Sequence, residues 1–506
     1  MDYVIGCDVG SQGTKALLLS MQGEFMCEAY EGYPIDYPHP LWAEQPVERW
    51  LDALTVAVRR LLSESGVPAK YIRALSLATQ VDGVIPVDST GQPLHPAIIW
   101  MDRRASAQCE RVRQNLADEE IFRLTGLNLD ATHVAPKIRW LADHQKDIYA
   151  RSAHFLLPGS YMAYVLTGEL GVDYSNASST LLLEVHTKTW STVMGHAFDI
   201  DLSRMAPLGA ATDTLGTLRP NLAEKLGLTV ETLVMVGCGD EHAACLGAGV
   251  ARPGIVGDIA GTAEPVCAAS PEPAFDPTRL METHCHADPD LWLLENPGFV
   301  SGGNLRWFRD QFAKGETYTA LDAEAAPVPP GAEELTFLPS LMGAMAPTWN
   351  ESARGTFAGF TLAHTRGHFV RALLEGSAYA VRDITTQMQA AGIELHELRV
   401  VGGGAKSRLW NQIKADVTGL QVNVPEITET TALGAAFLAL VGTGAYANLS
   451  EASEQIVKIR ESIDPDPAAQ SAYTESYTRY RQTYFTLLPV FEEAAKRQPG
   501  APSDRP

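Results

Sequence analysis

The chain predicts an α/β protein of two halves facing each other across a cleft, and three observations carry that expectation. Its 506 residues exceed the common domain size of about 100–150 residues, so two large domains are expected. Strand-like and helix-like apolar patterns alternate along the first half. Turns rich in glycine and threonine follow apolar strands in both halves, and the turn in Gly257–Pro265 echoes that in Asp8–Thr14. A hydrophobic content of 45% with 20% charged residues is that of a soluble globular protein, and a chain this long buries its own core.

The first element is "YVIGCDVGSQGTKALLL", two apolar runs split by a polar turn, which reads as a β-hairpin. Gly10 and Gly13 let backbone N–H groups approach a ligand, Ser11 and Thr14 add hydroxyls, and Lys15 adds a positive charge. Such a turn suits phosphate oxygens, although it lacks the Walker spacing. Asp8 repels phosphate but can hold Mg²⁺ through water. The plain alternative is an ordinary hairpin with a solvated aspartate.

Val47–Ser65 has helical periodicity with Pro46 as the first helical residue, and Ile72–Thr79 reads as a buried strand. Then come Gln80-Val81-Asp82-Gly83, "VIPVD", a turn at Ser89–Gly91, "PAIIWMDRR", and a helix opening at Pro136–His144. In "VMVGCGDEHAACLGAG" a strand ends in glycines, Asp240 follows, and a small-residue helix begins. A carboxylate held there can act as a general base, with the helix dipole keeping it ionised. A helix N-cap explains the same pattern equally well.

In Leu398–Gly419, a strand runs into Gly402-Gly403-Gly404-Ala405 and a helix whose N-terminus can receive phosphate; Gly419 sits where the helix ends. Thr431–Gly444 reads as a second helix of small residues, and the tail from Lys496 as disordered.

The net charge of −22 argues against nucleic acid or an anionic membrane as partner. Seven scattered cysteines without a C-x-x-C fit free, buried thiols in a reducing compartment. His284-Cys285-His286 is explained by strand alternation rather than by metal binding. The amino terminus lacks a basic start and a long apolar core, and no run spans a membrane, so a cytoplasmic location is expected.

Taken in order and spacing, "DVGSQGTKALLL", "PHPLWAEQP", "GQPLHPAIIWMDRR", "APKIRW", "GCGDEHAACLGAG", "GTFAGFTLAHTRGHFVRALLEG" and "VGGGAKSRLWNQIKADVTG" resemble the FGGY carbohydrate kinases, most closely their xylulokinase branch. The resemblance spans roughly residues 3 to 490. It implies two actin-like (ribonuclease-H-like) ATPase domains facing each other across a cleft that binds ATP and Mg²⁺. By position it makes Asp240 the catalytic base and places Asp8 at the metal. Gly10, Ser11, Gln12, Gly13, Thr14 and Lys15 then form the first phosphate turn, and Gly261 and Thr262 the second. Gly302, Arg306, Gly404, Ala405 and Arg408 match the nucleotide wall, while Val81, Asp82, Asp102, Asp240 and Glu241 fall on the sugar side.

Three stretches depart from xylulokinases. Gln80-Val81-Asp82-Gly83 stands for Gln-Met-His-Gly, Asp240-Glu241 for Asp-Asn, and Gly343–Pro347 for Gly-Glu-Arg-Thr-Pro. The expected activity is ATP-dependent phosphorylation of a hydroxyl on a small sugar, a ketopentose such as xylulose first. Another ketose, a sugar acid or a polyol is the alternative acceptor, and a chaperone-like actin-fold ATPase the alternative class. The expected organisation is residues 1–245 as the sugar-side domain, 246–490 as the nucleotide-side domain, and 491–506 as a disordered tail. The expected partners are a small sugar and ATP; a homodimer is left open.

Overall fold

The computed structural model describes residues 1–497. Its chain opens with the expected hairpin, β1 (Tyr3–Val9) and β2 (Gly13–Ser20), extended antiparallel by β3 (Phe25–Gly32). Helix α1 (Glu48–Ser65) buries Trp50, Leu54, Val58 and Leu61 along one stripe, about 1.5–3 kcal/mol for each large side chain. It starts two residues after Pro46, which supplies a carbonyl to the Arg49 N–H instead of the first helical residue, and ends at Gly66 with φ 66°. Strand β4 (Ile72–Thr79) lies parallel to β1. Helix α2 (Val134–His144) begins earlier than "PKIRW". Strands β5 (Thr214–Thr217), β6 (Leu233–Met235) and β7 (Cys238–Gly239) complete the first sheet, in the order β5-β6-β4-β1-β2-β3, with β7 continuing beside β4.

Helix α3 (Asp240–Ala248) leads into the second sheet. Its strands are β8 (Gly254–Ile259), β9 (Ala263–Ser270), β10 (Glu282–Cys285) and β11 (Trp292–Val300). After α4 (Gly302–Phe312) and α5 (Arg366–Ala390) come β12 (Leu395–Val401), α6 (Arg408–Thr418), β13 (Gln421–Pro425), α7 (Thr430–Gly442), β14 (Ile459–Ile463) and α8 (Pro467–Lys496). The sheet order is β10-β11-β9-β8-β12-β13-β14.

The two sheets share one plan. Three antiparallel strands (β1-β2-β3; β8-β9-β11) are followed by two parallel ones (β4, β6; β12, β13) and an antiparallel edge (β5; β14). The echo between the two turns therefore belongs to a duplicated architecture. Helix α7 sits against β1, β4 and α3, where glycines allow backbones to meet; a Cβ on Gly6 would lie 2.1 Å from the Ala432 carbonyl oxygen.

Two expectations need correction. Cys245 and Cys267 are joined where α3 meets β9 in one buried cluster, leaving five free cysteines instead of seven. Helix α8 runs to Lys496, into the segment expected to be disordered, because Tyr473, Tyr480 and Tyr484 bury one stripe of it; the rest of that tail lies outside the described residues. His284 and Cys285 lie in strand β10, and no group of three or more His, Cys, Asp or Glu is placed to hold a metal among the described residues.

Candidate active site

The carboxyl ends of the first sheet's strands set the chemistry. Val9 of β1 and Gly239 of β7 both align with Thr79 of β4. Asp8 and Asp240 therefore leave the sheet on either side of one strand, from strands about 10 Å apart. Both are half-buried. Burial pushes the Asp8 carboxyl up to about 7, opposed by Lys15, its cross-strand partner, and reinforced by Glu429.

Asp240 is the first residue of α3, and the N-cap is Gly239, so the N-cap reading does not hold. The Asp240 carboxyl accepts the Glu241 N–H at 2.9 Å. Burial, then Glu241 and Asp8, hold it well above the usual carboxylate range. This corrects the expectation of an aspartate kept ionised by the dipole. A helix dipole contributes about 0.3–1 kcal/mol, under one pKa unit, and desolvation together with two neighbouring carboxyls outweighs it.

After β4, Asp82 adopts φ 58° and turns its carboxylate to His133, whose Nδ1 lies 3.3 Å away. It does not cap the following turn. The buried Lys137 ammonium donates to the Asp82 carbonyl at 2.6 Å and also to that of Thr132. Burial would lower the His133 ring, but the Asp82 carboxylate lifts it to about 9; burial lowers Lys137 to about 8. Val81 packs against Gly239.

Burial raises Glu241 to about 7, and burial together with Glu241 holds Glu295 higher still. Both Glu295 carboxyl oxygens are buried without a hydrogen-bond partner. Glu282 lies opposite Glu295 across β10 and β11 and accepts the Asn128 N–H at 2.8 Å. Asp102 is buried with both oxygens engaged: Oδ2 accepts the Ala43 N–H at 2.7 Å, and both accept from Arg104, which stacks on Trp42 at 3.7 Å. Its carboxylate is thus committed to partners within the protein.

In the first turn, Ser11 Oγ accepts from Trp100 Nε1 at 2.7 Å, and its carbonyl accepts from Gln45 at 2.7 Å. Tyr33 Oη donates to the Gly10 carbonyl at 2.6 Å, and Tyr30 Oη to that of Gln12 at 3.0 Å. Thr14 Oγ1 is buried without a hydrogen-bond partner. Lys15 forms an ion pair with Glu429, the residue preceding α7.

The second sheet supplies a cradle of backbone. Ile259 and Val401 are aligned at the ends of β8 and β12, so the turns at Ala260–Thr262 and Gly402–Ala405 are neighbours. The Gly404 N–H bonds the Ala260 carbonyl at 2.8 Å, and the Ser301 and Gly303 N–H groups both bond the Thr262 carbonyl at 3.1 Å. A Cβ on Gly302 would stand 2.4 Å from the Gly261 oxygen, and one on Gly404 2.6 Å from the Ala260 side chain. Arg306 is exposed beside this cradle; Arg408 is exposed and pairs with Glu461 at 2.8 Å. Close-packed glycine turns and the unpartnered Thr14 hydroxyl fit a phosphate-bearing ligand, and Asp8 fits its metal.

Sequence reasoning missed the residues that act through distant partners: His133 and Lys137 beneath Asp82, Glu295 and Glu282 against Glu241, and Glu429 against Lys15. "APKIRW" and "HCH" were visible, but nothing local tied them to the pocket.

Comparison with known proteins accords with this geometry. Residues 3–247 match the N-terminal domain model of the FGGY family of carbohydrate kinases, and residues 259–443 the C-terminal one. The chain is 30% identical to a xylulose kinase of Bacillus subtilis, over 96% of this chain and 97% of that one. It is equally 30% identical to an autoinducer-2 kinase of Salmonella paratyphi A, over 95% and 94%. The crystal structure of xylulose kinase from Rhodospirillum rubrum superposes with a TM-score of 0.90 at 29% identity, covering 97% of this chain and 100% of that one. The chain belongs to the FGGY family of carbohydrate kinases.

Proposed function

We propose that this sugar kinase phosphorylates a hydroxyl of a small uncharged acceptor, a ketopentose such as xylulose first, with Asp240 as general base. The observation that carries the reading is the pair Asp8 and Asp240 flanking Thr79 at the sheet's carboxyl end. FGGY kinases use ATP with Mg²⁺, which supplies the γ-phosphoryl group and spreads the charge of a loose transition state.

The chain's own residues do the rest. Asp240 takes the proton from the acceptor hydroxyl, contributing about 10²–10⁴-fold. Asp8 holds the metal through its water. The turns at Gly10–Lys15, Gly261–Thr262 and Gly404–Ala405, with Gly302, Arg306 and Arg408, receive the nucleotide. Residues 1–245 then form the acceptor side and first phosphate hairpin, and 246–490 the nucleotide side. Asp82 and Glu241 accept hydroxyl hydrogens and disfavour an anionic acceptor. The similarity to both a xylulose kinase and an autoinducer-2 kinase supports the phosphotransfer and leaves the choice of sugar to the pocket.

The test is ADP release across pentuloses, hexuloses, polyols and aldonates, in the wild type, Asp82→His and Glu241→Asn. The expected result is turnover of an uncharged ketose or polyol, none of aldonates, and a reordered preference in the variants. Preferred aldonate turnover, or ADP release independent of any acceptor, overturns the reading.

A further inference from the structure

Lys414, in the middle of α6, lies far from any expected site residue in sequence. Its ammonium sits 2.6 Å from Asp258 Oδ2 and 2.5 Å from Glu264 Oε1. All three side chains are at most 1% exposed. Asp258 belongs to β8 and Glu264 to β9, the two legs of the hairpin that carries Gly261 and Thr262. Lys414 thus bridges both legs directly below the turn.

That turn is the hub of the nucleotide side. The Ala260 carbonyl accepts the Gly404 N–H, and the Thr262 carbonyl accepts from Ser301 and Gly303. The start of α4 and the Gly402–Ala405 turn therefore both hang on it. Lys414 reaches the second turn as well: its ammonium lies 4.8 Å from the Trp410 ring centre, and a Cβ on Gly404 would stand 3.2 Å from that ring.

The charges explain why a lysine is needed there. Two buried carboxyls on adjacent strands repel unless neutralised, and an uncompensated negative charge beneath N–H groups aimed at phosphate opposes binding. Lys414 hydrogen-bonds Asp258 Oδ2 and lies in ion-pair contact with Glu264, whose two carboxyl oxygens, like Asp258 Oδ1, make no hydrogen bond, so Lys414 is the cation in contact with the pair. A buried ion cluster is a poor source of stability compared with an apolar core, which makes geometric control the better account of it.

We infer that Lys414 is a positioning residue for the nucleotide: by clamping Asp258 and Glu264 it fixes the Gly261–Thr262 turn and, through its backbone bonds, Gly302 and Gly404. This rests on ATP lying against those turns.

The experiment is titration calorimetry of MgADP with the full-length protein, which needs no acceptor, alongside melting temperature. Lys414→Met is expected to weaken MgADP by about tenfold or more, the scale of one lost charge-assisted contact. Lys414→Gln, which keeps a donor without the charge, is expected to weaken it by about threefold and covers the case in which Lys414→Met does not fold. The triple variant Lys414→Met/Asp258→Asn/Glu264→Gln removes the unbalanced charge and is expected to recover most of the affinity. A role in stability alone lowers the melting temperature and leaves MgADP affinity of the folded fraction unchanged; that result in either single variant overturns the inference. Failure of wild-type protein to bind MgADP would instead sink the placement of the nucleotide.

Discussion

Strands β1 and β8 open the two sheets and carry the same residue at the same place. Asp8 and Asp258 are each the last residue but one before the turn, aligned with Ala78 of β4 and Val400 of β12. Their surroundings differ because their side chains leave opposite faces of equivalent sheets. Gly6, two residues before Asp8, meets α7, so Asp8 emerges half-buried near the start of that helix, beside Lys15 and Glu429. Val256, two residues before Asp258, joins the cluster that includes Ala415 of α6, so Asp258 lies beneath that helix and is fully buried. The period-two alternation of a strand decides which carboxylate meets a ligand and which must be neutralised from within. In the proposed division, chemistry belongs to the strand ends of the first sheet and the backbone cradle to those of the second.

The largest effect expected from that division is at Asp240. Asp240→Asn should lower kcat by at least about 100-fold with MgADP affinity nearly intact, because an amide keeps the shape but takes no proton. Retention of more than about a tenth of kcat would break the assignment of the base.

The next test sets the two matched aspartates against each other in a Mg²⁺ titration of activity. Asp8→Ala should raise the half-saturating Mg²⁺ by about tenfold or more, while Asp258→Asn, which touches the nucleotide turn and not the metal, should weaken MgADP and raise it by less than about threefold. Equal responses would erase the contrast between the strands.

A smaller effect concerns pH. Protonation of the base should cause the acid-side fall in kcat/KM. Glu241 is among the groups that hold Asp240 high, so Glu241→Gln should move that fall to lower pH by about one unit. No movement would separate the limb from Asp240.

The smallest test compares the buried cations of the two halves. The His133 ring is lifted from the ordinary 6.5 to about 9, so its pairing with Asp82 stabilises the protein fully below pH 6.5, and this contribution disappears as pH rises through about 9. Lys414 is raised from 10.5, chiefly by Asp258 and Glu264 against the pull of burial, so its contribution persists over the same range. The melting-temperature gap between wild type and His133→Gln should therefore close between pH 7 and 10, and that for Lys414→Gln should not.

The fold was largely legible because its markers are local. "CDVGSQGTK" and "GDIAGTAEP" each contain a strand end and a turn within ten residues, and "VVGGGAKSRLWNQ" holds strand, turn and helix in sequence. Asp240 was legible for the same reason, since glycines before it and small residues after it mark a strand-to-helix corner. The upward shift of its carboxyl was not legible, because it depends on the loss of water and on Glu241 and Asp8. The partner of Asp82 was not legible, because His133 is 51 residues away. Lys414 looked like one more helix residue, and Asp258 is 156 residues from it. Pairings of that separation leave no period or spacing to read.

The glycines along α7 have a mechanical consequence. A Cβ on Gly6, Gly247 or Gly434 would stand 2.1, 2.0 and 2.0 Å from the carbonyl oxygens of Ala432, Thr430 and Ala243. Each of these positions touches main chain rather than a side chain that can swing aside. A single added methyl group is therefore a wedge between α7 and its neighbours β1 and α3. Since β1 ends at Asp8 and α3 begins at Asp240, the wedge would spread the two carboxylates without touching either one.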